Sequence, residues 1–260
     1  MLKSIKLSRN AEPARPYRTG SFGRVSTSQK RDPACSDSIA RLAERERGWV
    51  GSRLELNSGL HDQIQKAVEA LRQGGIVAYP TDTAYGLAVD ATNPKAVEKL
   101  YKLKGRDFNK PIHVIYPSTQ WLKKIVKLNI QALRLMVKFM PGPITLVLPL
   151  KAIGFSWKRL SAGTKTMGIR LPNHPVALEL VKKFGKPITT TSANVSGKPN
   201  TYSISEVKKQ FARAKNKPHF YLDGGKLAKT QPSTVVLVNK NVTILREGPV
   251  TETQIKKALK

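Results

Sequence analysis

The feature that most restricts the fold is a switch of hydrophobic period that recurs along the chain from about Leu60. Ile64, Ala67, Val68 and Leu71 stand at i, i+3, i+4 and i+7, the apolar stripe of a helix. Gly74-Gly75 stops that helix, and residues 76–79 then read as a short buried strand. Asn93-Pro94 opens a second helix, with proline where a missing N–H costs nothing, and Val97, Leu100 and Tyr101 form its face. Residues 112–116 read as a strand, and Ser118 caps the helix after it. The runs 144–150, 167–171, 187–190, 220–222, 235–238 and 242–245 read as further strands, and 174–184 as a helix. Ser203-x-x-Glu206 and Thr251-x-x-Gln254 are capping boxes that open two more helices. Helices and strands are intermixed, and some strands follow one another directly. That order predicts an α/β fold around a mixed sheet.

Residues 1–58 lack this patterning. The first 31 residues hold eight basic groups and one acidic group, among scattered Ser, Pro and Gly. Such a segment buries too little apolar surface to offset its ordering entropy, so 1–58 is expected to be a disordered basic extension. Its deletion should then leave folding intact. Its composition also suits an organelle transit peptide, although no strong amphipathic helix accompanies it.

Charge is the loudest bulk property: 46 Lys+Arg against 17 Asp+Glu give +29. The segment 1–58 carries only +6 of this, so the excess lies on the part expected to fold. A basic surface draws in polyanions such as ATP and tRNA. A source whose proteins are all lysine-rich would give the same figure. The single cysteine, Cys35, excludes a disulfide framework within one chain and suits a reducing compartment, here the cytoplasm. No apolar run approaches the length of a membrane span, so no membrane partner is expected.

Several enzyme classes are excluded by motif. There is no G-x-x-x-x-G-K-[ST], no G-x-G-x-x-G, no H-E-x-x-H and no G-x-S-x-G, and the four histidines show no ligand spacing. Four polar clusters remain, each at a strand end, where ligands gather in open α/β sheets. The first, 79–87, holds Thr81 and Thr83 after a buried strand; an ordinary capped turn has the same composition. The second, 102–111, carries Lys102, Lys104, Arg106 and Lys110. These cations suit a polyphosphate, or equally a solvated helix end. The third, 160–170, places Thr166 and Arg170 on one face of a strand. An inward arginine needs an anionic partner, either a bound carboxylate or an internal acid, and acids are scarce here. The fourth, 189–199, offers five hydroxyls and the Asn194 amide, to phosphate oxygens, to a hydroxylated amino acid, or to its own backbone.

In this order and spacing the clusters resemble the YrdC/TsaC family of threonylcarbamoyl-AMP synthases. The signature P-T-[DE]-T-x-Y-G-L is Pro80–Leu87, K-x-R is Lys104-Gly105-Arg106, and P-G-P-[IL]-T is Pro141–Thr145. R-[LMV]-P-x-H-P is Arg170–Pro175, and S-x-N is Ser192-Ala193-Asn194. The resemblance covers about Leu60–Pro249 and implies a YrdC-like twisted mixed sheet flanked by helices, a catalytic domain over 59–260. It implies synthesis of threonylcarbamoyl-AMP and pyrophosphate from L-threonine, bicarbonate and ATP, for a tRNA modification completed by a separate transfer machinery. Mg²⁺ would be held mainly by the ATP phosphates, with no metal site on the protein. By the same resemblance Thr83, Thr166, Arg170 and Thr190 hold threonine, and Arg170 takes its carboxylate. Lys104, Arg106, Ser192, Asn194 and Arg246 hold ATP, with Lys110 and Asn200 nearby, and Lys104 and Arg106 serve catalysis. Relatives carry a histidine at the position of Ile115; here His113 stands two residues earlier, on the same strand face. The family's longer branch adds a second domain, and this chain resembles the single-domain branch. Two other functions are weighed. A non-catalytic RNA-binding module of the same fold would use the basic face alone. A carbamoyl-transfer domain of hydrogenase maturation would need further segments that the sequence lacks.

Overall fold

The computed structural model describes residues 36–44, 58–151 and 154–260. The helices are α1 (36–44), α2 (Ser58–Arg72), α3 (Pro94–Lys104), α4 (Thr119–Ile125), α5 (Ile130–Phe139), α6 (Phe155–Leu160), α7 (Pro175–Phe184), α8 (Ile204–Gln210) and α9 (Glu252–Leu259). The strands are β1 (Val77–Tyr79), β2 (Gly86–Ala88), β3 (His113–Ile115), β4 (Ile144–Pro149), β5 (Thr166–Arg170), β6 (Ile188–Ser192), β7 (Phe220–Tyr221), β8 (Thr234–Val238) and β9 (Val242–Arg246). They form one sheet in the order β7-β1-β2-β6-β3-β5-β4-β8-β9. β1 and β7, β3 and β5, and β4 and β8 run parallel, and the other neighbours antiparallel, so the sheet is mixed as expected.

Local chemistry explains most boundaries. The α2 stripe Ile64, Ala67, Val68 and Leu71 is buried. Asn93 caps α3 by accepting from the N–H groups of Lys95 and Ala96, and Pro94 fills the first turn. Ser118 accepts from Trp121 N–H at the start of α4. Thr251 and Gln254 complete a reciprocal capping box on α9. At α8 only half of the expected box forms. Ser203 Oγ accepts from Glu206 N–H (3.3 Å), but Glu206 Oε2 accepts from Tyr202 N–H (2.7 Å), one residue before the cap.

The expectation of an unstructured 1–58 is corrected in part. Residues 36–44 are helical, Leu42 is fully buried in the core, and Ile39 packs against it. About two and a half turns offer too few apolar positions to register as a period, although a single leucine is enough to bury. The rest of that extension lies outside the described residues. Leu42→Ala should therefore lower stability by about 2–5 kcal/mol, the cost of an unfilled core site. A melting curve superimposable on the parent's would show that α1 is not part of the core.

Candidate active site

Four segments converge on one face at the middle of the sheet. The register sets His113 on β3 opposite Thr190 on β6, and Arg170 on β5 opposite Thr145 on β4. A cavity of about 210 Å³ opens there. Its lining includes Thr83, Arg106, His113, Arg170, Thr190, Ser192, Asn200 and Arg246, joined by Thr81, Thr191 and Ser233. A second hollow of about 530 Å³ adjoins at Asn200 and is edged by Tyr202, Lys209 and Lys229. Among the residues expected to bind ligands, Lys104, Lys110, Asn194 and Thr166 do not line the first cavity.

Lys104 lies underneath it. Gly105 ends α3 in the left-handed conformation (φ 56°), a backbone state that costs glycine little. That turn leaves Lys104 buried at 1% exposure while Arg106 continues into the cavity. Lys104 Nζ donates to the carbonyls of Ser192 and Asn194 and to Asn194 Oδ1, the latter two at 2.7 and 3.2 Å. Its own carbonyl accepts from Ser196 N–H (2.8 Å). Burial, and secondarily the Arg106 guanidinium, pull the Lys104 ammonium down to about 7. In this structure Lys104 acts as a brace: one lysine ties the K-x-R turn to the S-x-N loop. Asn194 is consumed in the same brace, and its amide also donates to Lys198 O. Lys110 is exposed and contributes its carbonyl, which accepts from Arg106 Nε (3.3 Å) and Tyr101 Oη (3.0 Å). With Pro111 O accepting from Arg106 Nη2 (2.9 Å), these bonds fix the guanidinium at the cavity wall.

Thr166 shares the strand face of Arg170, as its spacing requires, but sits at the far end of β5. Its hydroxyl meets Thr164 Oγ1 at 3.2 Å. The scarcity of acids near Arg170 proves to be a misreading of the sequence. Asp82, inside the first cluster, forms an ion pair with Arg170 Nη2, and Thr83 Oγ1 accepts from the same nitrogen at 2.9 Å. Arg170 Nε is buried with no partner. The Thr83 hydroxyl is polarised by this arrangement. Thr81 gives its one hydrogen to Ala84 O (2.6 Å) and accepts from the N–H groups of Thr83 and Ala84 (3.2 and 3.3 Å), so both of its lone pairs are taken and the Thr83 hydrogen stays available to the cavity. Thr83 then accepts from Arg170 and has one lone pair left for the cavity. Guanidinium donors beside a hydroxyl acceptor match the carboxylate and ammonium of an α-amino acid.

Arg246 Nε and Nη2 donate to Ser233 O (3.1 and 2.6 Å), which fixes a third guanidinium on the rim. His113 stands among these cations. Burial, then Arg246, Arg170 and Arg106, hold its imidazole down at about 4. Gly168, its partner on β5, must be glycine, because a Cβ there would lie 2.2 Å from His113 Cδ2. Burial also lowers His174 and His219, and the latter's Nδ1 accepts from Ile76 N–H (3.0 Å). A histidine whose folded pKa is depressed binds fewer protons folded than unfolded between the two values. Stability from His113 is therefore complete above about 6.5 and lost as pH falls toward about 4, by on the order of 3 kcal/mol. Denaturant titrations at pH 7.0, 5.5 and 4.5 should show this decline, and His113→Asn should flatten it. The same slope in both proteins would contradict a neutral His113 in the folded chain.

The described residues contain no cluster of three or more His, Cys, Asp or Glu able to hold a metal. Asp82 has both oxygens engaged, Oδ1 by Arg170 and Oδ2 by Asn173 N–H (3.1 Å). No described helix is long and apolar enough to cross a membrane.

With the geometry in place, similarity adds identity to shape. Residues 69–248 match the Sua5/YciO/YrdC family model, which carries the description "Telomere recombination". The chain is 37% identical over 195 residues to a threonylcarbamoyl-AMP synthase of Bacillus subtilis, covering 74% of this chain and 55% of the relative. A Vibrio cholerae protein of the same name is 33% identical over 192 residues, 73% of this chain and 99% of the relative. The structure of Pyrococcus abyssi Sua5 in complex with L-threonine superposes with a TM-score of 0.69 at 33% identity. It covers 75% of this chain and 57% of that one, so this chain spans little more than half of its longer relatives.

Proposed function

The chain belongs to the Sua5/YciO/YrdC family, and from that premise we propose that it is a nucleotidyltransferase making threonylcarbamoyl-AMP. The observation that carries the reading is the pairing of Arg170 with the polarised Thr83 hydroxyl, in one cavity with Arg106, Arg246 and Ser192. The first pair offers an amino-acid seat, and the second set offers charge and donors for a polyphosphate. The solved complex of the Pyrococcus abyssi relative with L-threonine supports the same assignment.

In this mechanism Arg170 takes the carboxylate of threonine, and Thr83, with Thr190 nearby, its amine. The amine nitrogen bonds to the carbon of bicarbonate-derived CO₂ and loses a proton, giving the carbamate. A carbamate oxygen then attacks the α-phosphorus of ATP while the bond to the bridging oxygen of pyrophosphate breaks. No nucleophilic side chain is required. The protein supplies alignment and charge neutralisation, from Arg106 and Arg246 at the phosphates and from the Ser192 loop that Lys104 braces. The nucleoside end of ATP would extend past Asn200 into the adjoining hollow. Mg²⁺ would enter with the triphosphate as part of the substrate, held mainly by phosphate oxygens and water. The charge of +29 suits tRNA as the eventual acceptor, reached in the cytoplasm through a separate transfer machinery. The test is the product itself. Mass spectrometry after incubation with ATP, L-threonine and ¹³C-bicarbonate should detect labelled threonylcarbamoyl-AMP. Avid RNA binding with no such product would favour the non-catalytic module.

A further inference from the structure

We propose that Asp82 is a positioning residue: it sets the Arg170 guanidinium in the orientation that receives the ligand carboxylate, without touching the ligand itself. The inference rests on the reading of Arg170 as the carboxylate seat. Both oxygens of Asp82 are committed, Oδ1 to Arg170 Nη2 and Oδ2 to Asn173 N–H. The loop that carries it is fastened on both sides. Thr230 Oγ1 donates to Thr83 O (3.1 Å) and lies 3.5 Å from Asp82 O, and the N–H groups of Thr83 and Ala84 rest on Thr81 Oγ1 at 3.2 and 3.3 Å. Asp82 therefore cannot swing aside to make way for a substrate, and as an anion it repels a carboxylate. It is the fixed end of the pair and Arg170 is the directed end.

A guanidinium is a rigid planar fork, so anchoring Nη2 at Asp82 and Thr83 sets the plane of the whole group. The remaining donors then point along directions that Asp82 dictates. The side chains are about 10% exposed, so water does little to screen or replace the pair. The contrary idea, that Asp82 merely occupies the seat until substrate arrives, requires a mobile acid and forecasts the opposite result.

The experiment is a double-mutant cycle on L-threonine binding, read by calorimetry without turnover, with ATP affinity and a melting curve for each protein. Asp82→Asn keeps the shape but removes the charge, and should weaken threonine roughly ten- to a hundred-fold while changing ATP affinity less than about threefold. Asp82→Glu, one methylene longer, should lose only several-fold, and it carries the test if Asp82→Asn does not fold. In an Arg170→Gln background either change should have no further effect on threonine, because the group being positioned is gone. Threonine binding that is unchanged or tighter in Asp82→Asn overturns the proposal, and so does a loss that persists undiminished in the Arg170→Gln background. A parent protein that binds no threonine at all would instead reject the reading of the site.

Discussion

Arg170→Ala is expected to weaken threonine binding by at least about a hundredfold and to cost roughly 3–5 kcal/mol of stability, because it leaves Asp82 buried without its cation. Both effects arise from one location. Arg170 closes an ion pair behind the cavity and lines the cavity in front. Arg170→Lys separates them. It restores a charge near Asp82 but loses the planar fork, so much of the stability should return while threonine affinity stays down roughly ten- to a hundred-fold. ATP affinity should move little in the lysine variant, since Arg106 and Arg246 remain. Melting curves with separate titrations of threonine and ATP decide the matter. Recovery of threonine affinity in step with stability would make Arg170 a structural cation only.

Lys104→Met is the second large effect. Methionine fills the volume of the buried stem but donates no hydrogen bond. Ser192 O, Asn194 O and Asn194 Oδ1 would each lose the Lys104 donor in a site with 1% exposure. The expected cost is about 3–5 kcal/mol. The S-x-N loop would be released from α3, and ATP affinity should fall at least tenfold even though Lys104 does not line the cavity. A lysine that touched ATP directly would behave differently, with ATP affinity lost and the melting temperature kept. A thermal shift paired with nucleotide titration separates the two.

The contrast between these residues shows what a sequence makes visible. The strands at 144–149 and 234–238 and the stripe of α2 are local, because burial on one face imposes a period that neighbouring residues carry. The same holds for the caps at Asn93, Ser118 and Thr251. β2 was not legible. Three residues containing a glycine have no strand propensity, and their pairing with β1 and β6 makes the strand. α6 is six residues without a side-chain cap, too short to be stable alone. All four polar clusters contribute residues to the lining of one cavity. Cross-chain partners were invisible, because Asp82 meets Arg170 across 88 residues and Lys104 meets Asn194 across 90. Nothing in residue type distinguishes a lysine that touches phosphate from one that braces the loop beneath it. Thr166 illustrates the converse: strand period assigns a face correctly but does not say how far along the strand a cavity extends.

The most direct test of the central claim is pyrophosphate release by the purified chain from ATP, with threonine and bicarbonate supplied singly and together. The carbamate is the nucleophile, so release should require both and stay at background with either alone. Equal release from ATP without threonine, or with threonine in bicarbonate-free buffer, would contradict the account.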